Sequence, residues 1–137
     1  MIVVDASAFI KYILREDRWN DISVFIREKR PLYSVDHLLK ECFNAIWRHC
    51  YLRKSIDRGV AIDLVNKISK LIDSGVIVLE PEDKYLSKAL EIALDMGLTI
   101  YDSLYLAQAL LHGEILTSDK KQAEIAESLG VKTYLVE

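Results

Sequence analysis

Apolar residues recur along the chain with two spacings. Five short runs are rich in β-branched or apolar residues: Ile2-Val3-Val4, Leu32 to Val35, Val76 to Leu79, Glu114 to Thr117 and Val131 to Val136. Between them lie longer stretches in which apolar residues return every three or four positions, the spacing of a helix with one buried face. The pattern predicts strands at 2–5, 32–35, 76–80, 114–117 and 131–136. It predicts helices at about 6–15, 19–29, 37–52, 56–73, 83–96, 100–112 and 120–129. Gly75, Gly97, Gly113 and Gly130 each stand before an apolar segment, where a glycine ends a helix without steric cost. Pro31 opens the second strand and Pro81 closes the third. In the helix from His37, the apolar positions 39, 42, 43, 46, 47 and 50 form the expected buried stripe.

Strands that alternate with helices imply a parallel sheet covered on both faces. The fold class expected is therefore α/β: a single domain over residues 1–137, with about five parallel strands. Ligands of such sheets bind outside the carboxyl ends of the strands.

Composition narrows the function. The 137 residues are 51% hydrophobic and 28% charged, a globular balance rather than a disordered one. The net charge of -3 argues against a passive basic coat for nucleic acid, but not against a nucleic-acid enzyme whose acids hold metal ions. Cys42 and Cys50 fall on one predicted helix, about 12 Å apart along its axis and too far for a disulfide. Two free thiols, no membrane-length apolar run and no basic leader point to a cytoplasmic protein without a membrane role.

Four acids stand out by position. Asp5 ends the first strand and Asp119 follows the fourth, both on the ligand-binding edge. Each also suits a helix cap, with Gln122 placed to complete a capping box for Asp119. Asp102 lies in a first helical turn, where Thr99 sets up another box. Glu41 lies on a helix beside the core stripe, with Asn44 one turn on. Clustered carboxylates repel one another unless a cation joins them, and oxygen-only ligands select a hard ion such as Mg²⁺ or Mn²⁺.

These residues resemble the PIN-domain nucleases, and among them the VapC-type toxins of toxin–antitoxin pairs. The resemblance rests on Val3-Val4-Asp5-Ala6-Ser7-Ala8, on Glu41 with Asn44, on Tyr101-Asp102-Ser103-Leu104-Tyr105, and on Leu116-Thr117-Ser118-Asp119. It spans the chain in length and element order. One departure is Lys120-Lys121-Gln122-Ala123, where a large apolar residue is common; it bears on helix packing, not on the carboxylate.

The resemblance implies a Mg²⁺- or Mn²⁺-dependent ribonuclease that hydrolyses phosphodiester bonds. Asp5, Glu41, Asp102 and Asp119 would hold the metal and carry catalysis. Ser7, Asn44 and Thr117 would support them. It also implies an RNA substrate, a homodimer and a small antitoxin protein as partner. Lys11, Arg15, Arg48 and Lys120 are candidates for RNA backbone contact, with Arg53, Lys54, Arg58 and Lys121 as further cations. Alternative readings are a PIN nuclease that processes RNA without an antitoxin, and a non-catalytic module that binds RNA or protein. A receiver-like phosphoacceptor lacks its paired acids and late lysine here. His37, His49 and His112 share no metal-ligand spacing and are expected at surfaces or helix ends. Trp19 and Trp47 are expected as core or interface anchors.

Overall fold

The computed structural model describes residues 1–137. The chain runs β1 (Ile2–Val4), α1 (Ala6–Ile13), α2 (Trp19–Lys29), β2 (Leu32–Val35), α3 (His37–Trp47), α4 (Arg58–Asp73), β3 (Ile77–Glu80), α5 (Leu86–Met96), α6 (Ile100–His112), β4 (Glu114–Thr117), α7 (Lys120–Ser128) and β5 (Lys132–Leu135). A π-helical segment, Arg48–Leu52, extends α3, and a 3₁₀ turn, Glu82–Tyr85, precedes α5.

All strand pairs are parallel, in the order β3-β2-β1-β4-β5. The central strand β1 is the most apolar and is buried throughout, as a strand covered on both faces must be. Right-handed crossovers put α1–α4 on one face and α5–α7 on the other. The packing agrees: α1 meets α2 and α3, α3 meets α4, α5 meets α6, and α6 lies across β1, β2 and β4. The core joins Val3, Phe9, Ile22, Leu38, Leu104, Tyr105 and Leu116, all nearly inaccessible.

The expected parallel α/β sheet of five strands is present. Three local expectations need correction. The helix expected over 37–52 is α-helical only to Trp47 and then widens into the π-helical segment. Its buried stripe is rotated: Leu38, Cys42, Ala45 and Ile46 face inward, while Phe43 is 45% exposed and Trp47 49%. Trp47 thus stacks on Tyr51 at the surface instead of anchoring the core. Counting apolar positions places the stripe by hydrophobicity alone, whereas the face that packs inward includes small Ala45, 3% exposed. Finally, His37 begins a helix as expected but is buried, not surface-exposed. Both cysteines are free, Cys42 buried and Cys50 partly so. No helix is long and apolar enough to cross a membrane.

Candidate active site

From β1 the sheet grows to β2 and β3 on one side and to β4 and β5 on the other. The chain connections diverge between β1 and β4, which makes that pair the switch point where an open α/β sheet forms its crevice. Asp5 follows β1 directly, and Thr117 and Asp119 lie at and just beyond the end of β4.

Asp5 is buried, 4% exposed, and caps α1 by accepting the Ala8 N–H at 3.1 Å. Ser7 donates its hydroxyl to Asp5 Oδ1 at 2.7 Å and Thr117 donates to Oδ2 at 2.5 Å. Burial raises the Asp5 pKa to about 6; the three donors oppose the shift and the neighbouring Asp119 charge adds to it. The Ser7 and Thr117 hydroxyls lie 3.1 Å apart. Backbone N–H groups close the cluster, Ser118 donating to Ser7 at 2.9 Å and Asp119 to Thr117 at 3.1 Å.

Asp119 caps α7 through the Gln122 N–H at 3.1 Å. The expected capping box does not close, however. The Gln122 side chain turns away and donates to the Asp102 carbonyl at 2.9 Å. That bond ties the first turn of α6 to the first turn of α7, and so fixes Asp102 relative to Asp119. Thr99 caps α6 by accepting the Asp102 N–H at 3.3 Å. Asp102 is half-buried, and its pKa is raised by burial, then by the charges of Glu41 and Asp119, against the pull of Lys121.

Glu41 reaches the site from α3. Tyr105 donates its hydroxyl to Glu41 Oε2. Tyr105 is 1% exposed, and its pKa is driven up by burial and by the Glu41 charge. A buried tyrosine needs a partner for its O–H, and Glu41 is that partner.

Asp5, Glu41, Asp102 and Asp119 therefore sense one another. Capping does not take Asp5 and Asp119 out of the cluster: each caps a helix while their charges still act on one another. Asn44 is exposed on α3, one turn beyond Glu41. Lys11 is on α1, Arg48 opens the π-helical segment, and Lys120 follows Asp119 directly. Arg15 lies over Trp19 and lines a separate cleft between α1 and α4 with Lys67. The partners of Tyr105 and Gln122 differ from what spacing suggests: Tyr105 bonds Glu41 on α3, and Gln122 bonds the Asp102 carbonyl instead of closing a capping box. The signal for Tyr105 was there: a tyrosine one turn after an acid, on a helix with few polar positions.

As it stands, no group of three or more Asp, Glu, His or Cys side chains surrounds one ion-sized point. The donor chemistry nonetheless suits a hard cation: the four acids offer carboxylate oxygens, and their charges raise the pKa values of Asp5 and Asp102.

The PIN domain family model matches residues 2–128. The chain belongs to the PIN domain family. Two curated PIN relatives come from Pyrobaculum aerophilum. One, named Ribonuclease VapC3, is 27% identical over 124 residues, spanning 90% of this chain and 92% of the relative. The other, named Exonuclease VapC9, is 27% identical over 136 residues, spanning 98% and 92%. The crystal structure of PAE2754 from the same organism shares the fold, with a TM-score of 0.68 and 23% identity, over 96% of this chain and 87% of that one.

Proposed function

We propose that residues 1–137 form one PIN-like nuclease domain that cleaves RNA with the help of a divalent ion, as the toxin of a toxin–antitoxin pair. The observation that carries the reading is that Asp5, Asp102 and Asp119, with Glu41, lie near enough at the β1–β4 edge of a PIN fold to feel one another's charge. The names of the two curated relatives support it. Asp5, Glu41, Asp102 and Asp119 would hold Mg²⁺ or Mn²⁺. The ion supplies activation of water and neutralisation of charge on the phosphoryl oxygens.

The chain's own residues prepare that site. Thr117 and Ser7 hold Asp5 by both carboxylate oxygens, which leaves it little rotational freedom. Tyr105 aims Glu41 from the core. Gln122 fixes the spacing of α6 and α7. Lys11, Arg48, Lys120 and Lys121 offer cations for the RNA backbone, whose binding should weaken with salt. Arg15 would serve an RNA strand only where it extends past α1.

Cleavage of end-labelled structured RNA by the purified chain tests the enzyme, with Mn²⁺ or Mg²⁺ compared with EDTA. Expression in the cytosol of a bacterial host tests the toxin: growth arrest relieved by a small neighbouring open reading frame supports the antitoxin. Light scattering tests the homodimer, and a clean monomer at micromolar concentration counts against it.

A further inference from the structure

Beside Glu41 the surface opens into a cleft of about 390 Å³ lined by His37, Lys40, Glu41, Asn44 and Tyr101. Its wall is an aromatic pair. The rings of His37 and Tyr101 stack with centroids 5.0 Å apart and planes 18° from parallel. The two rings differ in burial: His37 is 7% exposed, whereas Tyr101 is 57% exposed. The buried His37 Nε2 has no hydrogen-bond partner. Its nearest carboxylate oxygen, Glu41 Oε1, is 3.6 Å away, and Nδ1 is 3.9 Å from Glu82 Oε2, both beyond hydrogen-bond reach. An unpartnered buried ring nitrogen is costly and uncommon, so this histidine is not explained as a satisfied core residue. Its position explains it better: it backs Tyr101 and keeps that ring standing at the mouth of the cleft.

We propose that this cleft is a nucleobase subsite. An unpaired base, one step from the scissile phosphate, stacks on Tyr101, with His37 as the backing ring and the Asn44 amide offering both a donor and an acceptor to the base edge. The inference rests on the nuclease reading, because Glu41 belongs both to the acid cluster and to the cleft. Charge selects the ligand. Lys40 is already paired with Glu82 at 3.2 Å, so a phosphate in the cleft meets the Glu41 carboxylate, whereas a flat neutral group does not carry that penalty. Single-stranded RNA supplies such groups, since its bases are free to stack on exposed aromatic rings.

The test is affinity for a short single-stranded oligoribonucleotide, read by fluorescence anisotropy on the full chain with Ca²⁺ and again in EDTA. Wild type is compared with Tyr101→Phe and Tyr101→Leu, using RNAs that carry one abasic nucleotide at successive positions. Tyr101→Phe should bind as wild type does. Tyr101→Leu should bind roughly 5- to 150-fold more weakly, the loss expected for one base–aromatic stack. One abasic position should cost wild type the same factor and cost Tyr101→Leu nothing. Unchanged affinity in Tyr101→Leu overturns the proposal. So do abasic losses that stay the same in both proteins, and so does failure of the wild-type chain to bind any single-stranded RNA, the result expected of a peptide site. Cleavage is assayed separately. An active chain without the coupling loses only the subsite, and an inactive chain with the coupling loses only the nuclease reading.

Discussion

Thr117 donates its hydroxyl to Asp5 Oδ2 at 2.5 Å, across 112 positions of sequence. The bond joins the ends of β1 and β4 where the sheet connections diverge. Thr117→Val keeps the shape but leaves a buried carboxylate oxygen without its donor and the Asp119 N–H without its acceptor. The expected cost is about 1–3 kcal/mol of unfolding free energy in urea, with Thr117→Ser close to wild type. Equal stability of Thr117→Val and wild type would show that the bond contributes nothing.

Asp5 sets a pH dependence of definite sign. Its pKa rises from 3.8 to about 6 on folding, chiefly through burial, so the folded state binds the proton more tightly. Its contribution to stability is full below about pH 4 and is lost as pH rises through 6. The loss is on the order of 2–3 kcal/mol in the metal-free chain. Asp5→Asn should flatten this limb in urea titrations between pH 4 and 7. Mn²⁺ should restore stability at pH 7 in the wild type but not in the variant.

Glu80 works in the opposite sense. Burial alone would raise its pKa, but bonds from Gln108 at 2.9 Å, His112 at 2.6 Å, Tyr85 at 2.8 Å and Lys84 at 3.2 Å override it and hold the pKa at about 2. Its contribution is present above about 4.5 and lost as pH falls toward 2. Glu80→Leu should cost about 2–4 kcal/mol at neutral pH, by leaving Gln108 and Tyr85 unpaired, and should abolish this acid limb.

Tyr105→Phe removes the hydroxyl that aims Glu41 and nothing else. Outer partners of metal-holding carboxylates typically matter by 10- to 100-fold. We expect a loss of that order in cleavage rate, with the folded state retained by near-ultraviolet circular dichroism. A wild-type rate would show that Glu41 needs no positioning by Tyr105.

The sheet was legible because four of the five strands are compact apolar runs opened by a glycine or proline, and because strand–helix alternation leaves few topologies. The acids were legible by place, Asp5 and Asp119 at strand ends. What spacing could not show was side-chain direction. Gln122 has two partners within reach, its own helix cap and the Asp102 carbonyl, and only the packing of α6 against α7 decides between them. The same holds for α3, where Phe43 and Trp47 are more hydrophobic than Ala45, yet Ala45 is the residue that faces the core. His37 was misjudged for a related reason: a histidine at a helix start reads as polar, but Tyr101, sixty-four positions later, covers it.

The most direct measurement is the rate of RNA cleavage as Mn²⁺ is titrated into the wild type and into Asp5→Asn, Glu41→Gln, Asp102→Asn and Asp119→Asn, each checked for folding. The acid cluster at the β1–β4 edge predicts a metal-dependent wild-type rate and loss of cleavage in the folded variants, most completely in Asp102→Asn. A wild-type rate in folded Asp102→Asn, or cleavage that persists in EDTA, would contradict it.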